Sequence, residues 1–295
     1  MLVPYLSVPV LDYTLSFLSA LLGWGLLCGL LCYLFCAAAQ PRAPQRVMAI
    51  LLAYVGHMSL PILLHGPLWA FWFPALTATG PAAGEPAVAW GAKVAGLLWS
   101  LLLIYGLGWS TPQQAGLQAP QAGASRVVGP VILVVAGGLF VQAYASPTIL
   151  PTRGWPQLLA VATLPGLVEE LFYRGALLGI MSRVFPRTLP LLGTRTSWGG
   201  VVGVLLFTLG HVLTFPPVFA FFYAWGHPSS LPPESVATLL RTLFWPTHGG
   251  GRELAYFLVL GTLLLWVRER TGSCWAAVGA HCLLNASLAL GQVLR

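Results

Sequence analysis

The sequence predicts an all-α, polytopic membrane protein of about eight transmembrane helices, with a few polar groups buried inside the helix bundle. Three observations predict it. Of the 295 residues, 57% are hydrophobic and only 7% are charged, against roughly 25% charged in soluble domains. Mean hydropathy is +0.81. Apolar runs recur along the chain, most of them long enough to cross about 30 Å of hydrocarbon. The 24 prolines and 33 glycines fit that class, because both are commoner in membrane helices than in soluble ones.

The runs fall at 13–38, 47–64, 88–110, 127–147, 157–181, 198–224, 254–268 and 273–293. The first lacks a basic flank and is too long for the apolar stretch of a cleaved signal, so it reads as a retained span. Segment 66–78 (GPLWAFWFPALTA) is short and aromatic, and is expected to lie in the interface or re-enter. Arg42, Arg46, Arg126, Arg183, Arg187, Arg195, Arg268 and Arg270 fall in alternate loops. The positive-inside rule makes those loops cytoplasmic and puts both termini on the other side. Lys93, Arg153, Arg241 and Arg252 run against the bias. Residues 111–125 read as a polar linker. Within 226–253, Val236, Leu239, Leu240 and Leu243 share one face of an expected interfacial helix at 234–245.

The net charge of +7 is scattered at the ends of the apolar runs, which argues against a nucleic-acid partner. Cys28, Cys32 and Cys36 repeat every four residues on one helical face, and neither they nor Cys274 and Cys282 form a C-x-x-C pair. They read as packing residues rather than a zinc or redox site.

Ionisable groups inside spans cost roughly 2.5–3.5 kcal/mol each on insertion scales and mark functional positions. Three groups stand out. In 168-VEELFYRG-175, Glu170 and Arg174 are four residues apart and pair on one helix face. Glu169 lies about 100° round the helix with no cation on its own helix, which suits a general base. The second group is His211, in 207-FTLGH-211. The third is 281-HCLLN-285, where His281 and Asn285, the chain's only asparagine, project together. His57 has no evident partner and reads as a packing histidine.

Depth links the three groups. Counting inward from Arg183, Arg195 and Arg270 at about 1.5 Å per residue, Glu169, His211 and Asn285 lie about 21–24 Å deep. A carboxylate, a histidine and two hydrogen-bond donors at one level fit attack of water on a carbonyl. Glu169 and His211 would activate the water, and His281 and Asn285 would stabilise the oxyanion. Glu170 and Arg174 would support the helix. Gly175, Gly179, Gly199 and Gly203 would let the helices approach. Neither Cys282, turned about 100° from His281, nor any serine pairs with this set. Two alternatives remain: Zn²⁺ held by Glu169, His211 and His281, although no H-E-x-x-H is present, and a non-enzymatic carrier or scaffold that uses the same groups.

The ordered motifs Glu169-Glu170-Leu171-Phe172-Tyr173-Arg174, Phe207 to His211, and His281 to Asn285, with the lead-in 272-GSCWAAVGAH-281, resemble the CAAX prenyl protease and bacteriocin-processing family (CPBP, or Abi). The resemblance covers residues 155–295, expected to be the catalytic core. Residues 1–150 form N-terminal transmembrane helices of unassigned role. The resemblance implies a glutamic-type intramembrane endopeptidase without a cofactor, in which Glu169 and His211 activate water and His281 and Asn285 form the oxyanion hole. A metalloprotease mechanism has also been proposed for that family. Expected partners are the lipid bilayer and a membrane-associated peptide or protein: a prenylated CAAX protein, a leader peptide or a C-terminal sorting tail. The motif wording implies a prokaryotic cell membrane.

Overall fold

The computed structural model describes residues 18, 21–35, 47–64, 90–146, 155–212 and 251–294. The helices are α1 (Leu21–Phe35), α2 (Val47–Leu64), α3 (Trp90–Leu101), α4 (Ala124–Ala145), α5 (Trp155–Glu170), α6 (Leu178–Ser182), α7 (Trp198–Val212), α8 (Gly251–Thr271) and α9 (Cys274–Val293). Each predicted apolar run overlaps at least one described helix. By length and hydropathy, α4 and α9 suffice to cross a membrane, while Leu21–Phe35, Val47–Leu60, Lys93–Gly106 and Trp198–Val212 are apolar but shorter. The expected interfacial helix at 234–245, segment 66–78, and Arg42, Arg46, Arg153 and Arg241 lie outside the described residues.

Two helices change pitch midway. Helix α3 continues as a π-helical turn over Leu102–Gly106, and α5 passes through a π-helical segment, Leu171–Leu177, into α6. Widened turns of this kind are frequent at functional sites, because they re-aim side chains and loosen the i→i−4 ladder. All seven residues of the second π segment are buried. Side chains cap two carbonyls at this segment: Cys274 Sγ donates to Glu170 O at 3.3 Å, and Arg268 Nε donates to Arg174 O at 3.1 Å.

Helix α9 packs most extensively against α5 and α4, α8 against α7, and α3 against α2 and α5. The core gathers Ile50, Tyr54, Leu103, Phe172, Leu177, Phe185, Phe207 and Leu264. Small residues set the closest crossings. A Cβ on Gly166 would lie 2.7 Å from Cys282 Sγ and 3.0 Å from the Cys282 backbone nitrogen. Of the four glycines expected to let helices approach, Gly179 and Gly199 sit in tight contacts, with Ser110 Oγ and Met181 Cβ respectively. Gly175 makes ordinary contact, and Gly203 faces open space.

One end of the bundle is polar and ordered. The segment read as a linker is instead docked: Gln121 N donates to Thr271 O at 2.8 Å, Cys274 N to Gly116 O at 2.8 Å, and Ser273 Oγ to Gln118 O at 2.6 Å. Its composition reads as flexible, but these backbone groups find partners in the α8–α9 turn. An antiparallel hairpin, β1 (Leu189–Leu191) and β2 (Thr194–Thr196), adds to the helical architecture at the same end. Its two-residue turn, Leu192-Gly193, has both φ values positive, 42° and 78°, the geometry that matches the twist of two short strands. Arg270 Nη1 donates to Gly193 O at 2.6 Å, and Glu269 is held by Arg187 and by Thr196 Oγ1.

Candidate active site

The two adjacent glutamates leave α5 toward different neighbours. Glu170 is fully buried, and its Oε1 accepts from Arg174 Nη1 at 3.0 Å and from His281 Nδ1 at 2.8 Å. Arg174 Nη2 donates to Gly261 O on α8 at 2.8 Å, and its guanidinium carbon stands 4.5 Å from the centre of the Phe207 ring on α7. A planar fork suits this triple contact, in which a carboxylate, a carbonyl and an aromatic face each take one part of the delocalised cation. Glu170 and Arg174 therefore tie α5, α7, α8 and α9 together.

Glu169, with a side chain 14% exposed, faces the other way. Its Oε2 lies 3.4 Å from His211 Nε2 on α7, and its Oε1 lies 3.1 Å from Lys93 Nζ on α3. The His211 ring is fixed by a contact at one edge and by rings against it. Nδ1 donates to Phe207 O at 2.8 Å, Phe257 stacks on it at 4.3 Å, and Phe207 packs at 4.4 Å. A carbonyl can only accept, so Nδ1 carries a proton and Nε2 is the nitrogen turned to the carboxylate.

His281 is buried, and its Nδ1 contact with Glu170 sets the ring orientation and leaves Nε2 as the second ring nitrogen. Asn285 follows one turn later on α9 and is half-buried. Gly166 is what lets this part of α9 sit against α5, since a Cβ there would also lie 3.3 Å from His281 Cβ. Glu169 and His211 thus meet directly, whereas His281 reaches the neighbouring Glu170. Cys282 is turned aside, with Sγ donating to Thr163 O at 3.4 Å.

Among the described residues, no three His, Cys, Asp or Glu side chains are grouped so as to hold a metal ion.

One neighbour was not legible as a site residue. Lys93 reads from the sequence as a stray charge against the topology bias, yet it is an ionisable group inside an apolar run, and that alone marks it. His57 on α2 is the packing histidine its sequence suggests: it stacks flat on Phe172, with centroids 3.7 Å apart and planes 4° apart, in the π segment that follows the glutamates, and its buried Nδ1 has no hydrogen-bond partner among the described residues.

The family model described as Rce1-like, type II CAAX prenyl endopeptidase, matches residues 151–287. No curated protein and no solved structure matches the chain.

Proposed function

We propose that this protein is a glutamic-type intramembrane endopeptidase acting on a membrane-associated, lipid-anchored peptide, since residues 151–287 match a model of the type II CAAX prenyl endopeptidases, a family of membrane proteases. One observation carries the mechanism: Glu169 Oε2 and His211 Nε2 face each other across 3.4 Å from separate helices. A water about 2.8 Å from each can donate one O–H to the carboxylate and the other to the imidazole. Its lone pair is then free for the scissile carbonyl carbon.

As the new C–O bond forms, one water proton passes to Glu169, and the carbonyl electron pair moves onto oxygen. Donors from α9, His281 Nε2 and the Asn285 amide, stabilise that oxyanion. His281 donates to Glu170 through Nδ1 and to the oxyanion through Nε2, so it acts in the doubly protonated form. Collapse of the tetrahedral species breaks the C–N bond. The leaving nitrogen takes up the proton held by Glu169, which gives an amine and a carboxylic acid, and the acid's remaining proton passes through His211 Nε2 to bulk water to leave a carboxylate.

The test is cleavage of a farnesylated, internally quenched CAAX peptide by wild type and Glu169→Gln in detergent, with and without EDTA. The proposal expects cleavage by wild type, loss of about 100-fold or more in the mutant, and no effect of chelator. Equal cleavage by both proteins removes Glu169 as the base, and loss of activity in EDTA replaces the glutamic mechanism with a metal-dependent one.

A further inference from the structure

Every member of the proposed dyad and oxyanion hole lies within 151–287, but one contact of Glu169 comes from outside that region. Lys93, the chain's only lysine, reaches Glu169 Oε1 across 76 residues of sequence at 3.1 Å. The carboxylate is divided, with Oε1 on the ammonium and Oε2 on His211. Lys93 itself is 30% exposed while Glu169 is 14% exposed, so the cation stands on the outer side of the carboxylate.

The contact is built into the packing. Gly96 sits one turn after Lys93, on the same face of α3. A Cβ at Gly96 would lie 2.8 Å from Val168 Cγ1, the residue just before Glu169. Helix α3 can approach α5 at this point only because position 96 has no side chain. On its other side, α3 is fixed to α2: Trp99 Nε1 donates to Ala53 O at 2.9 Å, and a Cβ on Gly56 would lie 2.4 Å from the Trp99 ring. The ammonium is thus delivered by a close-packed pair of helices rather than by a loose loop.

We infer that Lys93 is a positioning residue of the catalytic centre: its ammonium clamps Oε1 of Glu169 so that Oε2 is presented to His211 and the water between them. This inference rests on the endopeptidase reading above. The N-terminal helices then complete the site. A carboxylate in an apolar setting needs a counter-charge, and α5 with the π segment that follows it supplies none to Glu169, because Arg174 is committed to Glu170. The rival role, a latch that blocks the base, fits less well, since Lys93 occupies the oxygen away from His211.

Two measurements test the clamp. The first needs no substrate. Lys93 is the one side-chain amine in the protein, so its acylation by an N-hydroxysuccinimide ester can be followed by intact mass and peptide mapping in detergent. Glu169→Gln removes the carboxylate that engages the amine and should speed acylation at Lys93 several-fold; equal rates would overturn the contact. The second uses the farnesylated peptide. Lys93→Met should lower kcat about 10- to 100-fold, the scale expected for a misplaced catalytic group, with KM little changed. Lys93→Arg should restore much of the rate. Wild-type kcat in Lys93→Met, or a higher one, overturns the positioning role. If wild type cleaves nothing, the endopeptidase reading fails, and the acylation rates still decide whether Lys93 holds Glu169.

Discussion

Glu170 and Glu169 are neighbours in sequence and opposites in environment. Glu170 has no exposure and shares one oxygen between a guanidinium and an imidazole. Removing one partner of such a buried pair costs about 3–5 kcal/mol, because the other charge is left uncompensated, whereas replacing the whole pair by apolar side chains of similar volume is often tolerated. Glu170→Leu should therefore lower the thermal midpoint sharply, and the double variant Glu170→Leu/Arg174→Met should recover most of that loss. Peptide cleavage should stay low in both, because His281 loses the acceptor that orients it. Recovery of cleavage together with stability would show that Glu170 only locks helices. The four-residue spacing to Arg174 made that pair legible. The third member was not, since angular counting on α5 cannot say which glutamate looks toward α9.

At the scale of elements, the approach of α9 to α5 decides where His281 and Asn285 stand. Gly166 permits it, one turn before the glutamates and one residue after Pro165. A single methyl there would press on the Cys282 backbone nitrogen at 3.0 Å, which cannot yield without moving the helix. Overpacking of this kind costs about 1–3 kcal/mol, but a shift near 1 Å at a catalytic group can cost about 100-fold in rate. Gly166→Ala should thus reduce kcat far more than it reduces the thermal midpoint; a variant with unchanged kcat would separate His281 from the chemistry. The helices themselves were legible as apolar runs. The π segment Leu171–Leu177 was not, because a change from i→i−4 to i→i−5 leaves the hydrophobic pattern of an all-buried stretch unchanged. Nor was the docking of the expected linker 111–125, which is tied down by backbone hydrogen bonds that any polar sequence can make before α4 begins at Ala124.

For the whole molecule, two clusters of charged and ionisable side chains stand out among the described residues. Arg187, Arg268, Glu269 and Arg270 gather with the hairpin and the α8–α9 turn, and Arg268 reaches from there to the carbonyl of Arg174. The other cluster holds Lys93, Glu169, Glu170, Arg174, His211 and His281, drawn from α3, α5 with its π segment, α7 and α9. Counting residues inward from the arginines put three motifs at one depth, because rise per residue is fixed in a helix, and the structure joins them through Glu169–His211 and Glu170–His281 contacts. Counting could not anticipate Lys93, since a contact between residues 76 apart in sequence depends on which glycines allow two backbones to meet. The N-terminal helices meet α5 where Gly96 faces Val168, and Lys93 reaches Glu169 at the same crossing.

The proposed mechanism requires Glu169 and His211 to act as one unit on one water. The most direct measurement is kcat/KM for Glu169→Gln, His211→Ala and the double variant on the same farnesylated peptide. Groups that act together are strongly non-additive. Each single variant should lose about 100-fold or more, and the double variant should lose little beyond either one. Losses that multiply in the double variant would contradict the mechanism, because the two side chains would then be serving separate steps.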